Sequence, residues 1–165
     1  MKAKDIIRLL NLEPLPMEGG YYRETYRSDE RLDTGLLPGR PGEWKELSTA
    51  IWYMLTPDTM SGMHRLPSDE VFHFYSGDPV EMLVLYPDGS GEIVVLGADL
   101  EKRQLPQYVI KRGTWFGARL IDGGEYALMG TTVAPAFDFE DFESGDRAEL
   151  TDGYPEWSEK IRMLT

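Results

Sequence analysis

Short apolar segments separated by turn residues follow one another along the middle of the chain, from Ser48 to Val133. Glycine, proline and aspartate residues stand between them, and Pro87-Asp88-Gly89-Ser90-Gly91 predicts a hairpin turn. The predicted strands are residues 49–55, 71–75, 80–86, 92–96, 107–111, 114–120 and 125–133. Short strands at such regular spacing predict an all-β fold, an antiparallel sandwich or barrel, rather than alternating strands and helices.

Both ends of the chain have the apolar spacing of a short helix. At the N-terminus the pattern comes from Ile6, Ile7, Leu9, Leu10 and Leu12. Pro14 and Pro16 prevent this helix from continuing. Near the C-terminus, Pro155 can open a helix that places Trp157, Ile161 and Leu164 on one face. Between the first helix and the first strand, residues 21–27 favour β structure and residues 28–44 predict a long exposed loop.

Length and charge narrow the possible partners and the compartment. The chain has 165 residues, so we expect a single domain spanning 1–165. Its 17 basic and 29 acidic residues give a net charge of −12, which repels phosphate backbones and anionic lipids. We therefore expect neither a nucleic-acid partner nor a membrane partner. The absence of cysteine, and an acid at Asp5 where a secretory signal would begin its apolar stretch, predict a cytoplasmic protein.

Only two histidines occur, and both lie in the block Gly62-Met63-His64-Arg65-Leu66-Pro67-Ser68-Asp69-Glu70-Val71-Phe72-His73-Phe74-Tyr75-Ser76-Gly77. This block resembles the first motif of the cupin superfamily, with His64, Glu70 and Gly77 at its first histidine, its glutamate and its final glycine. The chain is most similar to one small cupin family of uncharacterised function. The further matching stretches are Gly19 to Thr25, Gly113-Thr114-Trp115, and Thr132 to Phe139. The resemblance implies a jelly-roll barrel that is usually dimeric and similar in shape to the dTDP-keto-sugar epimerases.

The chain departs from the cupin pattern at the positions that bind metal. Metal-binding cupins use two histidines and a glutamate from the first motif and a histidine from the second. At these four positions the chain has His64, Leu66, Glu70 and Phe116. Leucine and phenylalanine cannot donate a lone pair, and one histidine with one carboxylate falls short of a catalytic zinc or iron site. We therefore predict no bound metal and no other cofactor.

His64 and Glu70 are the candidate catalytic residues, because an imidazole beside a carboxyl group can transfer protons near neutral pH. His64 would act as the general base, with Glu70 as its orienting partner or as the acid. Two alternatives stay open: the pair only holds two strands together, or the site binds a ligand without chemistry. Strand alternation places Glu70 and Phe72 on the face opposite His73, so we expect a structural role for His73.

Several other residues are candidates for binding the ligand. Arginine binds carboxylates and phosphates through forked hydrogen bonds, and aromatic faces pack against sugars. On this basis the predicted substrate-binding residues are Arg23, Tyr53, Arg65, Trp115 and Arg119. The sequence thus predicts a metal-independent homodimeric cupin that binds a small carbohydrate-like or anionic metabolite. Whether it also isomerises or epimerises that metabolite is left open, and the alternative is a non-catalytic protein of the storage or sensor type.

Overall fold

The computed structural model describes residues 1–165 and contains mostly β structure with short helices at both ends. The helices are α1 (Ala3–Leu10), α2 (Arg147–Gly153) and α3 (Ser158–Met163). Short 3-10 turns occur at Thr34–Leu36, Leu100–Lys102, Phe139–Asp141 and Pro155–Trp157. The strands are β1 (Glu13–Pro14), β2 (Tyr21–Arg27), β3 (Arg31–Asp33), β4 (Trp44–Glu46), β5 (Thr49–Leu55), β6 (Met60–Arg65), β7 (Asp69–Gly77), β8 (Val80–Leu85), β9 (Gly91–Leu96), β10 (Gln107–Ile110), β11 (Trp115–Leu120), β12 (Ala127–Ala134) and β13 (Glu143–Ser144).

Two antiparallel sheets face each other and enclose the main core. The six-stranded sheet has the order β1-β2-β5-β12-β7-β10, and the five-stranded sheet has the order β13-β6-β11-β8-β9. Inward side chains of both sheets form a cluster of 15 buried hydrophobic residues, among them Tyr53, Phe72, Met82, Phe116 and Met129. Alternating side chains of opposed strands can fill one interior in this way, which is the general basis of β-sandwich cores. The fold is mostly β with antiparallel strand pairing, so this coarser part of the prediction is confirmed.

The two sheets do not close into a barrel, which corrects the finer part of the fold prediction. They are separate hydrogen-bonded sheets, and β9 and β10 are terminal strands of the two. Side chains bridge this open edge instead: the hydroxyls of Tyr86 and Tyr108 both donate hydrogen bonds to Glu92 Oε1, with Tyr108 at 2.7 Å. These hydrogen bonds lower the pKa of Glu92. The molecule is therefore a sandwich with one edge joined by side chains.

Most predicted strands occur with shifted ends, and β5 has the predicted bounds 49–55. The predicted loop 28–44 is more ordered than expected, because β3 pairs with β4 and Thr34 Oγ1 donates to Pro41 O at 2.6 Å. The predicted strand alternation holds: Phe72 is in the core, whereas His73 lies on the other face, with its Nε2 3.2 Å from Thr132 Oγ1.

Helices cover parts of both outer sheet faces. Ile6 of α1 and Leu12 pack with Met54 outside the six-stranded sheet. The C-terminal pattern forms the turn Pro155–Trp157 followed by α3, and Trp157, Ile161 and Leu164 belong to one cluster outside the five-stranded sheet. The sequence did not predict α2, which begins where Asp146 Oδ1 accepts hydrogen bonds from Ala148 N and Glu149 N. None of the helices is long and apolar enough to cross a membrane.

Candidate functional site

A cavity of about 290 Å³ opens between the sheets. Strands β2, β5, β7 and β12 contribute to its walls, together with the segment before β2 and the segment after β12. Its apolar lining consists of Leu15, Ile51, Leu66, Val133, Phe137 and Phe139. The charged lining residues are Glu18, Glu24, Arg27, Glu70 and Asp138. A largely apolar cleft with a few convergent polar groups is the usual form of a small-molecule site, so this cavity is the candidate functional site.

Glu70 reaches the cavity from β7, and its surroundings raise the pKa of its carboxyl group. Glu70 is only 7% exposed, and its Oε2 atom is buried without a hydrogen-bond partner. Burial, followed by the negative charge of Glu18, raises the pKa of Glu70 from 4.5 to about 8. At neutral pH the carboxyl group is therefore mainly protonated, which allows it to donate a hydrogen bond as well as accept one.

Glu18 is the second carboxyl group of the cavity, and the sequence analysis did not identify it as a site residue. Its Oε1 atom accepts a hydrogen bond of 2.8 Å from Ser61 Oγ in the opposite sheet. Tyr53, which is 1% exposed, donates its hydroxyl hydrogen bond to Gly19 O at 3.0 Å and so holds the adjoining backbone. Burial and the charge of Glu18 raise the pKa of the Tyr53 phenol well above its usual value.

Two glycines allow the chain to deliver Glu18 into the cavity. Gly19 has φ +99° and Gly20 has φ +73°, in the left-handed region that side chains disfavour. A Cβ atom at Gly19 would lie 2.3 Å from Met60 O, and one at Gly20 would lie 2.9 Å from the Tyr53 ring. The segment therefore passes over β5 and β6 at a distance that only glycine permits. Glu18 directly precedes this Gly-Gly pair, which is the sequence signal that could have identified it.

His64 is buried beside Glu18, and it makes no direct contact with Glu70, its predicted partner. Its Nε2 atom lies 3.9 Å from Glu18 Oε2, whereas no His64 nitrogen lies within 4.0 Å of a Glu70 oxygen. Its Nδ1 atom donates to Gly62 O at 2.7 Å, so Nε2 of the neutral ring carries the lone pair. His64 is 1% exposed and does not line the cavity.

The residues around His64 do not fit the metal centre of metal-binding cupins. The Phe116 ring lies 4.1 Å from the imidazole ring, and the Phe142 ring stacks on it at 4.8 Å. Leu66 is buried and lines the cavity with an apolar side chain. No group of three or more His, Asp or Glu side chains has the arrangement that holds a metal ion. Aromatic and aliphatic groups thus occupy two of the four ligand positions, and the chemistry of the site is that of its carboxyl groups.

Arg27 at the edge of the cavity is fully engaged by the protein itself. Its guanidinium donates to Glu24 Oε1 and Oε2 at 3.2 and 2.9 Å, to Glu46 Oε2 at 3.3 Å and to Phe137 O at 2.9 Å. It also lies 3.5 Å from Asp138 Oδ1. These contacts hold the segment that carries Phe137 against β2, so Arg27 shapes the cavity wall rather than offering free hydrogen-bond donors.

A buried lysine holds the same segment from the other side. The Nζ atom of Lys45 in β4 lies 3.2 Å from Asp138 Oδ2 and also bonds Asp141 Oδ2. The Lys45 side chain is only 7% exposed, so these ion pairs are largely shielded from solvent. The ordered part of the predicted loop 28–44 therefore ends in a strand that anchors the wall of the cavity.

The predicted arginines and Trp115 lie outside the cavity. Arg23 is exposed on β2, and Arg65 binds both oxygens of Glu143 at 2.7 Å. The Arg65 guanidinium also lies 4.4 Å from the Trp115 ring centroid, outside the five-stranded sheet. Arg119 pairs with Asp122 at 3.1 Å beside a separate cavity of about 410 Å³. Arg65 and Arg119 thus form ion pairs outside the cavity. Strand alternation turns Trp115 outward, while Phe116 faces the core.

Sequence comparison relates most of the chain to proteins without an assigned function. A family model described as "Cupin superfamily (DUF985)" matches residues 4–145. The uncharacterised protein YML079W of Saccharomyces cerevisiae is 30% identical over 132 residues, which cover 75% of this chain and 66% of that protein. The chain therefore spans slightly less than two thirds of the length of this curated relative.

Structural comparison gives closely similar folds. A hypothetical protein from Leishmania major has a TM-score of 0.90 and 32% identity, covering 100% of this chain and 99% of that one. Protein SO0799 from Shewanella oneidensis has a TM-score of 0.87 and 32% identity, with 100% and 98% coverage. Oxalate decarboxylase from Bacillus subtilis is more distant, with a TM-score of 0.56 and 13% identity over 94% of this chain and 37% of that enzyme. The last similarity shows the fold alone.

Proposed function

Because the chain belongs to the cupin superfamily, in the family described as DUF985, we propose that it binds a small carbohydrate-like metabolite between its two sheets without a metal ion. The observation that carries this proposal is the unpartnered Oε2 atom of Glu70 in the wall of the cavity. Buried polar atoms in native proteins nearly always have a hydrogen-bond partner. A hydroxyl group of a ligand would supply the partner that the protein does not.

The rest of the lining suits a compact polar ligand with apolar faces. Thr131 lies in the wall beside Glu70, so hydroxyl and carboxyl groups are concentrated in one region of the cavity. Tyr22, Phe137 and Phe139 provide aromatic surface, and neighbouring rings of this group meet edge to face. Aromatic surface combined with a few hydrogen-bonding groups can hold the two kinds of surface that a sugar presents.

The charges of the lining argue against the anionic ligand that the sequence analysis also considered. Four of the lining residues are acids, and the single base, Arg27, already has its acidic partners. The arginines that would have bound an anion, Arg23, Arg65 and Arg119, do not line this cavity. An anion would therefore enter a field of like charge without a free donor to compensate it.

Proton transfer is a second candidate function, favoured by the protonated state of Glu70. A carboxyl group kept neutral near pH 7 can act as a general acid, while a neighbouring carboxylate acts as a base. In an isomerisation or epimerisation, Glu18 would take a proton from the carbon next to a carbonyl group. Glu70 would give its proton to the carbonyl oxygen, which forms an enediol. Glu18 would then return its proton to the adjacent carbon while Glu70 takes the proton of the other hydroxyl group, which yields the isomer. His64 would then orient Glu18 instead of contacting the substrate.

Saturation-transfer NMR with a set of aldoses, ketoses and polyols tests the binding proposal. We expect signals from sugars bound to the wild-type protein and their loss in Glu70→Leu, which removes both carboxyl oxygens from the cavity wall. Glu140→Leu is the matched control, because Glu140 is an exposed acid that does not line this cavity. Equal saturation transfer to the sugars from Glu70→Leu and from the wild-type protein would contradict the proposal.

Deuterium incorporation beside the carbonyl group of the same ketoses in D₂O separates binding from proton transfer. A catalytic site would exchange this hydrogen, and Glu70→Gln would slow the exchange by about 10²- to 10⁴-fold, the usual contribution of a general acid. Binding in wild type without exchange would leave the non-catalytic function and exclude this chemistry.

We also propose that the protein is a homodimer. The six-stranded sheet carries exposed hydrophobic side chains that α1 does not cover, including Tyr26 (55% exposed), Tyr75 (53%) and Val109 (40%). Exposed apolar groups on a sheet face favour association with a second copy. Sedimentation equilibrium should give twice the chain mass for wild type and a lower mass for Tyr75→Arg; a wild-type monomer would contradict the proposal.

A further inference from the structure

Glu18 lines the cavity as a half-buried carboxyl group with few partners in the protein. Glu18 is 14% exposed, accepts a hydrogen bond from Ser61 Oγ, and also interacts with the Tyr53 hydroxyl group. The nearest basic group is His64, but its Nε2 atom is 3.9 Å away. Because Nδ1 donates to Gly62 O, a neutral imidazole offers no proton to Glu18 on that side.

Glu70 adds a second acceptor that faces the same space. It is 7% exposed, lines the cavity, and leaves its Oε2 atom without a partner. Glu18 and Glu70 line the same cavity, and the negative charge of Glu18 contributes to the raised pKa of Glu70. Buried charges in proteins are normally paired, because an unpaired one loses its hydration without gaining a partner.

From these contacts we infer that the ligand carries a protonated amine, which binds between Glu18 and Glu70. An ammonium group has three donors and a positive charge, and so matches the unpartnered acceptor and the uncompensated carboxylate together. The inference rests on the proposed binding function and specifies the chemical class of the ligand as an amino-substituted polar metabolite. Its ammonium group replaces the proton held by Glu70, so binding near neutral pH releases a proton.

The acids near the outer edge of the cavity already have a basic partner, so a cationic group of the ligand would bind at the inner end. Arg27 pairs with Glu24 and Asp138 near the edge, so the lining acids without a lysine or arginine partner are Glu18 and Glu70. A cavity of about 290 Å³ has the volume of roughly ten water molecules at about 30 Å³ each, which suits a small metabolite. Tyr22 and Phe139 add aromatic surface, to which cations are attracted.

Three probes with the same two-carbon skeleton test the inference: protonated ethanolamine, ethylene glycol and glycolate. Each is titrated at pH 7 and constant ionic strength against protein with labelled methyl groups. The methyl signals of Leu15, Ile51 and Val133 report entry into the cavity, and Leu164, in the cluster outside the five-stranded sheet, is the internal control. We expect ethanolamine to bind with a dissociation constant at least about tenfold below that of ethylene glycol, with proton release measured by pH-stat titration.

Charge-removing variants assign the preference to the two carboxyl groups. Glu18→Gln should reduce the preference for ethanolamine, and Glu70→Gln should abolish the proton release, whereas Glu140→Gln should change neither. The methyl spectra show whether each variant is folded. If one of the two variants does not fold, the other still tests the inference. Equal or tighter binding of ethylene glycol or glycolate would overturn the amine while leaving the proposed binding function intact. If none of the probes shifts the cavity methyl signals, both the amine and the binding function are wrong.

Discussion

The free energy of unfolding of the wild-type protein should decrease as the pH rises from about 4.5 to about 8, and replacing Glu70 by glutamine should abolish this decrease. Glutamine has the shape of the protonated acid but cannot ionise. In the wild type, folding raises the pKa of Glu70, so the folded state holds its proton more tightly than the unfolded state does. This contribution to stability is complete below pH 4.5 and is lost as the pH rises through about 8.

The expected difference is large. A rise of the pKa from 4.5 to about 8 corresponds to about 4 to 5 kcal/mol of folding free energy. Relative to wild type, Glu70→Gln should therefore gain that amount between pH 4 and 9, or roughly 10 °C in the unfolding temperature. Urea unfolding at a series of pH values measures the difference, and subtracting the two proteins removes the titration of all other acids.

Glu92→Gln is the matched control with the opposite sign. Hydrogen bonds from Tyr86 and Tyr108 lower the pKa of Glu92, so its ionised form stabilises the folded state and this contribution is lost on acidification. Glu92→Gln should therefore be less stable than wild type at neutral pH and approach it at low pH. Parallel pH profiles of Glu70→Gln and wild type would show that Glu70 ionises normally.

Gly19→Ala is expected to destabilise the protein strongly and to displace Glu18. The new Cβ atom would lie 2.3 Å from Met60 O, a backbone atom of β6 that cannot rotate away. The left-handed φ of +99° adds strain for any residue with a side chain. Together the two effects should cost about 3 kcal/mol or more. Thermal unfolding measures the cost, and the amine probe measures the loss of the Glu18 site.

Gly89→Ala separates backbone strain from the close approach. Gly89 has a similar φ of +91°, but a Cβ atom added there would have no atom within 4 Å. This variant should lose only the strain contribution, about 1 kcal/mol. If Gly19→Ala is no less stable than Gly89→Ala, the segment before β2 does not pass as closely over β6 as described, and the position of Glu18 loses its support.

The sequence predicted those features that local patterns determine. The strand 49–55 was predicted because apolar residues on both faces indicate a buried strand, and in the structure it lies between β2 and β12. The orientation of His73 followed from strand alternation. The helix around Ile161 followed from an apolar face and Pro155. The closed barrel did not follow from any local pattern, and the edge at β9 and β10 is open.

The candidate site was predictable only in part, because it is assembled from distant segments. Glu70 lies in the recognised motif and lines the cavity, whereas Glu18 arrives through a turn whose path depends on Gly19 and Gly20. Arg65 and Arg119 could bind an anion, but they form ion pairs with Glu143 and Asp122 outside the cavity. The sequence alone does not show whether such side chains meet at one site. His64 is buried, and the acid beside it is Glu18 rather than the predicted partner Glu70.

The most direct test of this account is the titration of Glu70 in the ligand-free protein. Carboxyl ¹³C NMR, with the Glu70 signal assigned through Glu70→Gln, follows its ionisation directly. We expect a midpoint near pH 8, raised by burial and by the charge of Glu18, and a lower midpoint in Glu18→Gln. A Glu70 midpoint at or below pH 5 in the wild type would contradict it.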